Sequence, residues 1–388
     1  FGLIYFAEGT ILSYFTALNP IYLRSFNLTM SQVGLMGTIA ITPFIIKIFF
    51  GMLSDKVNFF KLGHRKPYII IGLLVQGLCL LIVPAINPGE QFGLFALLAF
   101  VLMAGQALYD TCTDGLALDT TPAEEEGTIQ GFMVGGRALG VVIISAVLGL
   151  LVRNLSWTVM FYALALLTLL PLPFVLMVKE ERRRSDQRFE WKAFSAFKAW
   201  PVIALGLLGA LYSLIINGAD QIITPFMNET FAVDEFAAGL YVSVWGVGVM
   251  IGGLTGGKLV DRMGHRRSIL VAAGISLLAI GSLALINGAA VAWGLMVLFG
   301  VAYGYYETVY FAVSMNYTDS RIAASMFSIL MAVANLGTAV GLGLSGALVD
   351  LVGYPLTFII LAGLNLLALP LVSVIFQLKR SVARSQGG

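Results

Sequence analysis

Twelve apolar stretches, each long enough for a helix to cross a bilayer, follow one another along the chain with only short polar or turn-rich breaks between them. They fall at about 1–23, 31–53, 67–87, 92–120, 127–151, 157–178, 200–226, 236–260, 268–287, 291–315, 322–348 and 355–378. A crossing helix needs roughly 20 apolar residues, so twelve of them nearly exhaust the sequence. Only 11% of the 388 residues are charged and 59% are hydrophobic, whereas a soluble domain carries about 25% charge. A water-soluble fold of this size cannot hide so much apolar surface, so lipid must be part of its solvent. The chain therefore reads as an all-α membrane protein. It opens on Phe1, so a short preceding segment is expected. Phe1–Leu23 lacks a basic front and a small-residue cleavage site, and reads as the first span and not a signal peptide.

Lysine and arginine fix the expected orientation. One set of loops holds Lys56, Lys61, Arg65 and Lys66, then the run from Lys179 to Lys198, then Arg262, Arg266, Arg267, Arg321, Lys379, Arg380 and Arg384. The opposite loops hold little beyond Arg24 and Arg153. Both termini and the central loop are expected on the cytoplasmic side of a cell (inner) membrane. The charged central stretch divides the chain into an expected six-helix half at 1–178, a linker at 179–199 and a second half with a short tail at 200–388. Cys79 and Cys112 both lie in apolar runs and suggest no disulfide framework. His64 and His265 both lie in basic loops, so proton chemistry inside the membrane falls to carboxylates.

Two of these loops repeat each other about half a chain apart. The first is Gly51-Met52-Leu53-Ser54-Asp55 followed by Gly63-His64-Arg65-Lys66, and the second is Gly257-Lys258-Leu259-Val260-Asp261 followed by Gly264-His265-Arg266-Arg267. Each follows the second span of its half. Glycine lets helices pack closely at the membrane edge, and the aspartate can hold the start of the next helix or an arginine across the loop. Asp55, Arg65, Asp261 and Arg266 are the expected gating residues; the alternative is that they only set topology.

The paired loops resemble those of the major facilitator superfamily, and the resemblance covers the whole chain. It implies two six-helix bundles with pseudo-two-fold symmetry, which carry a solute by alternating access. Further features are Pro43 and Lys47 ahead of Gly51, the loop ending Gly63-His64-Arg65-Lys66-Pro67-Tyr68, and Asp110, Asp114-Gly115 in span four. Thr121-Pro122-Ala123-Glu124-Glu125-Glu126-Gly127 and Gly136-Arg137 follow them. These look like the muropeptide permease and acetyl-CoA transporter group and the folate–biopterin transporter group, which carry bulky, mostly anionic solutes, commonly with protons. Glu307 within Tyr303-Gly304-Tyr305-Tyr306-Glu307 departs from that pattern.

Ionisable side chains at membrane depth cost at least about 2.5–3.5 kcal/mol on insertion scales, and such residues are functional candidates. In the first half these are Glu8, Lys47, Asp110, Asp114 and Arg137. Pro43 should kink span two one turn before Lys47. Asp110 and Asp114 are four apart and share a helix face; two carboxylates so placed are not both ionised cheaply, which suits a proton site. Arg137, beside Gly131, Gly135, Gly136 and Gly140, could reach either of them or form a structural ion pair. In the second half the candidates are Asp220 and Glu307, with Asn217 and the ring-bearing Tyr303, Tyr306 and Tyr310. Proton coupling is assigned to Glu8, Asp110, Asp114, Asp220 and Glu307. Substrate binding is assigned to Lys47, Arg137, Asn217, Tyr303, Tyr306, Glu307 and Tyr310, although the tyrosines could be ordinary packing. Asp119 reads as a helix cap, Lys258 as a snorkelling side chain, and the glycines from 252 to 257 and 337 to 346 as helix packing.

No metal-ligand cluster, serine–histidine pair or phosphate-cradling G-x-x-x-x-G-K-[ST] loop is present in the sequence. The chain is therefore expected not to be an enzyme or an ATP-driven pump, and to need no cofactor or metal. The favoured expectation is a proton-coupled secondary transporter of an organic anion, such as a carboxylate, peptide-sugar or siderophore. The alternative is a proton-coupled antiporter exporting an amphipathic drug or lipid. The expected partners are a small-molecule solute, protons and the bilayer, with no nucleic acid, and the protein is expected to be a monomer.

Overall fold

The computed structural model describes residues 1–57, 63, 65–120, 126–178, 199–317 and 323–385, and no strand occurs among them. The first span is broken into α1 (Gly2–Ala17) and α2 (Asn19–Ser25). Pro20 enters at the start of α2, where its missing N–H and fixed φ suit a helix beginning and not a continuation. Thr29 and Gln32 form a reciprocal capping box that starts α3 (Met30–Ile45). Span two stops at Ile46 and resumes as α4 (Lys47–Lys56), three residues after Pro43, so the expected kink is a full break.

The first half continues with α5 (Lys66–Ile82), α6 (Phe92–Thr120), α7 (Glu126–Asn154), α8 (Trp157–Leu169) and α9 (Leu172–Met177). The second half holds α10 (Trp200–Phe231), α11 (Glu235–Met263), α12 (His265–Leu283), α13 (Ala289–Tyr317), α14 (Ala323–Val352), α15 (Tyr354–Leu364) and α16 (Ala368–Ser385). Eleven described segments are long and apolar enough to cross a membrane. The first span is not among them; it is split into pieces of 16 and 7 residues and carries Glu8. Leu166, Leu254 and Leu278 stand largely exposed, as side chains facing lipid do.

The chain clusters into two compact units, Phe1–Gln187 with Ile223–Gly246, and Arg188–Ile222 with Val247–Gly388. In the first, α1 and α7 meet backbone to backbone. A methyl group on Gly136 would lie 2.2 Å from the Gly2 carbonyl oxygen, and one on Gly140 would lie 2.5 Å from that of Phe6. In the second, Gly337 and Gly341 on α14 stand in the same relation to the carbonyls of Ala210 and Leu214 on α10, at 2.0 and 2.3 Å. Gly252 and Gly304 bring α11 and α13 equally close. Glycine at these crossings lets polar backbones touch where lipid supplies no hydrophobic drive between helices.

Candidate functional site

In the first unit the α1–α7 contact places one acid beside one base. Glu8 is 7% exposed and one turn after Tyr5 on α1. Gly9 lets the Arg137 backbone come within 2.2 Å of a would-be methyl, and Arg137 Nη1 lies 3.7 Å from Glu8 Oε1. The sequence expectation sent Arg137 to Asp110 or Asp114; its ion pair is with Glu8, and it acts on Asp114 electrostatically as well. The other Glu8 oxygen, Oε2, is buried without a hydrogen-bond partner among the described residues.

The helix break supplies the second cation. Lys47 is the first residue of α4, so the break aims it inward and leaves its side chain 27% exposed. Its Nζ donates to Asp110 Oδ2 at 3.3 Å and sits 5.9 Å from the centre of the Phe44 ring. Asp110 is almost buried. Asp114, one turn further along α6, accepts a hydrogen bond from the Tyr5 hydroxyl. Five of the expected residues thus converge from α1, α4, α6 and α7. Tyr5 completes them and was not foreseen, because a tyrosine in an apolar run carries no signal until its hydroxyl meets a carboxylate.

Beside the cluster lies the described part of the repeated loop. Arg65 is 5% exposed, donates to the Ser54 hydroxyl and lies flat against α6 at Gly115. A methyl on Gly115 would be 2.6 Å from the guanidinium carbon, so glycine next to Asp114 is what admits the arginine. Tyr68 donates to the carbonyls of Leu53 and Val57, at 3.2 and 2.8 Å, tying α5 to the end of α4. Arg266 is exposed. The side chains of Asp55 and Asp261 lie outside the described residues.

In the second unit Asn217 on α10 donates to the Ser213 carbonyl at 2.9 Å and to Thr338 Oγ1 on α14 at 3.1 Å, and accepts from Tyr303 at 3.5 Å. Tyr306 and Tyr310 are fully buried, with ring centroids 5.2 and 4.8 Å from that of Tyr212. The Tyr310 hydroxyl rests on Gly209. These two rings are spent on Tyr212, while Tyr303, Glu307 and Asp220 keep partial exposure. Glu307 acts electrostatically on Tyr212.

Two further pairs lie within the first unit. Arg24 Nε donates to Glu229 Oε1 at 2.5 Å, and Arg153 Nη1 lies 3.1 Å from Asp234 Oδ2. A cavity of about 420 Å³ opens beside Arg24 and Trp157, far in sequence from the charged cluster. Sequence had singled out Arg24 and Arg153 only as exceptions to the charge asymmetry. Their acidic partners follow span seven, and nothing local announces a pairing across the chain. Among the described residues no group of histidine, cysteine and acidic side chains is arranged to hold a metal ion.

The putative transporter AmpG 2 of Rickettsia typhi is 23% identical over 94% of this chain and 90% of its own length. The anhydromuropeptide permease of Escherichia coli K12 is 22% identical over 86% of this chain and 70% of its own. Among solved structures, a bacterial homologue of the human lysosomal transporter Spinster superposes with a TM-score of 0.78 at 16% identity, covering 96% of this chain and 95% of that one. The nucleoside transporter NupG gives 0.77 at 16% identity, covering 97% of each. The likeness to these solved structures shows the fold. A family description, the Major Facilitator Superfamily, matches residues 1–330. With its repeated loops, its spans and its fold in agreement, the chain belongs to the major facilitator superfamily.

Proposed function

We propose that this transporter is proton-coupled and carries an organic anion of the anhydromuropeptide kind by alternating access. The observation that carries the reading is the set of three carboxylates and two cations on α1, α4, α6 and α7, all inside one unit. Lys47 is the anchor for an anionic group: it is partly exposed, and one carboxylate takes only one of its three donors. Glu8 is the proton carrier. Its ion pair is long and its Oε2 is unpartnered, and a buried carboxyl so placed is cheaper to keep neutral than charged. Asp110 and Asp114 hold the cation and the neighbouring helix, and Arg137 exchanges between Glu8 and the solute. Tyr303, Glu307 and Asp220 contribute from the second half.

The names of the relatives support the solute class, since a muropeptide joins an amino sugar to a peptide and carries carboxylates. The basic loops support an orientation with both termini cytoplasmic; the proposed protein is a monomer of the inner membrane, with functional halves at 1–178 and 200–388 joined by 179–199. The test is uptake of a radiolabelled anhydromuropeptide into vesicles holding the purified protein. Accumulation should follow an imposed proton gradient, and Glu8→Gln should lose it while retaining solute exchange. Uptake indifferent to every proton gradient would end the coupling assignment.

A further inference from the structure

Three carboxylates share the first-half cluster with two cations, so their partners must be allotted. Asp110 and Asp114 lie one turn apart on the same face of α6, and both act electrostatically on Lys47. Only Asp110 touches it, at 3.3 Å. Asp114 is turned instead to the Tyr5 hydroxyl, which reaches across from α1. Tyr5 is itself held fast: it is 7% exposed and packs against Ala117 and Met133 with Phe1 beside it. The remaining charged groups of the cluster, Glu8 and Arg137, face each other across the α1–α7 contact.

We propose that Tyr5 is a positioning residue: by holding Asp114 it keeps a second carboxylate off Lys47, and so leaves the ammonium with donors to offer an anion. The inference rests on the reading of Lys47 as the anion anchor. A lysine flanked by two carboxylates would be neutralised twice over and would repel an incoming anion. A lysine with one carboxylate retains two of its three N–H donors. The neutral phenol is suited to the task because it satisfies a carboxylate without adding a cation that would itself compete for the solute. The sequence shows two acids and one lysine; the placement of Tyr5 decides which acid the lysine keeps.

A zero-length carbodiimide joins a lysine amine to a touching carboxylate as an amide, and peptide mass spectrometry then reports which carboxylate Lys47 meets. The purified full chain should give the Lys47–Asp110 product alone. Tyr5→Phe should add a Lys47–Asp114 product. In vesicles the same variant should raise the KM for anhydromuropeptide exchange about fivefold, the equivalent of one ordinary hydrogen bond, with the maximal rate within about twofold. Replacing Asp114 by Asn in the Tyr5→Phe background should bring KM back toward the wild-type value, which a merely structural role for Tyr5 would not allow. Tyr5→Gln keeps a donor and covers the case in which the phenylalanine variant does not fold; it should give no Lys47–Asp114 product. Absence of that product from Tyr5→Phe, or its presence in Tyr5→Gln, overturns the inference. Wild-type vesicles that move no anhydromuropeptide would overturn the proposed substrate instead, and the cross-link would still decide what Tyr5 does.

Discussion

The two units use the same helix crossing and fill it differently. Gly136 and Gly140 on α7 abut the carbonyls of Gly2 and Phe6 on α1, and Gly337 and Gly341 on α14 abut those of Ala210 and Leu214 on α10. The residue after the first glycine faces the partner helix in both. It is Arg137, ion-paired with Glu8, in one unit, and Thr338, hydrogen-bonded to Asn217, in the other. Around the first crossing stand Lys47, Asp110 and Asp114; near the second, Tyr306 and Tyr310 each meet the Tyr212 ring at a tilt. A duplicated frame thus holds an ion pair at its crossing in one copy and a neutral hydrogen bond in the other. Closing a helix pair needs only small residues, whereas handling a charge needs a specific set of partners.

The frame is the part most easily broken. Leucine at Gly136 or at Gly337 puts side-chain atoms into backbone 2.0–2.2 Å away. Overpacking of this kind costs about 1–3 kcal/mol or more. Either variant should lose folded, monodisperse protein in detergent, and by a similar amount. A large difference between the two would show that the crossings are not equivalent.

The next effect separates the fillings. Lys47→Met leaves Asp110 buried without its cation, and removing one partner of a buried charged pair costs about 2–5 kcal/mol. Affinity for an anionic solute should fall by more than about tenfold, measured as KM in exchange. Unchanged affinity would remove Lys47 from the site.

Transplanting the neutral pair into the charged place sharpens the comparison further. Glu8→Asn with Arg137→Thr should keep the protein folded, because both replacements are smaller than the residues they replace and leave no buried charge unpaired. Gradient-driven uptake should vanish, while solute exchange persists with a raised KM because Arg137 also meets the solute. Gradient-driven uptake near the wild-type rate would show that coupling lies elsewhere.

Smaller effects are expected where no charge is buried. Asn217→Ala removes a helix–helix hydrogen bond, worth about 0.6 kcal/mol on average in a membrane, and should lower thermal stability slightly without altering coupling. Arg153→Gln should change stability least, by about 0–1 kcal/mol, because its pair with Asp234 is 52% and 41% exposed. A larger loss in either variant would show that the neutral crossing or the exposed pair holds more of the structure than its geometry accounts for.

The sequence alone determined the spans, the duplication and the identity of the charges at membrane depth. Lipid forces long apolar helices, and a charge among them is visible at once. It also located Pro43 as a weakness in span two and glycines as contact points, since both act through the local backbone. Tertiary structure alone decided the pairings. Glu8 with Arg137, Lys47 with Asp110, and Tyr5 with Asp114 join residues on different helices, and which of several carboxylates a cation keeps depends on ångström-scale approach. It also decided that Tyr306 and Tyr310 are buried against Tyr212 while Tyr303 keeps access. The periodicity of a helix hydrophobic on every side does not say which face meets lipid, a neighbour or the interior.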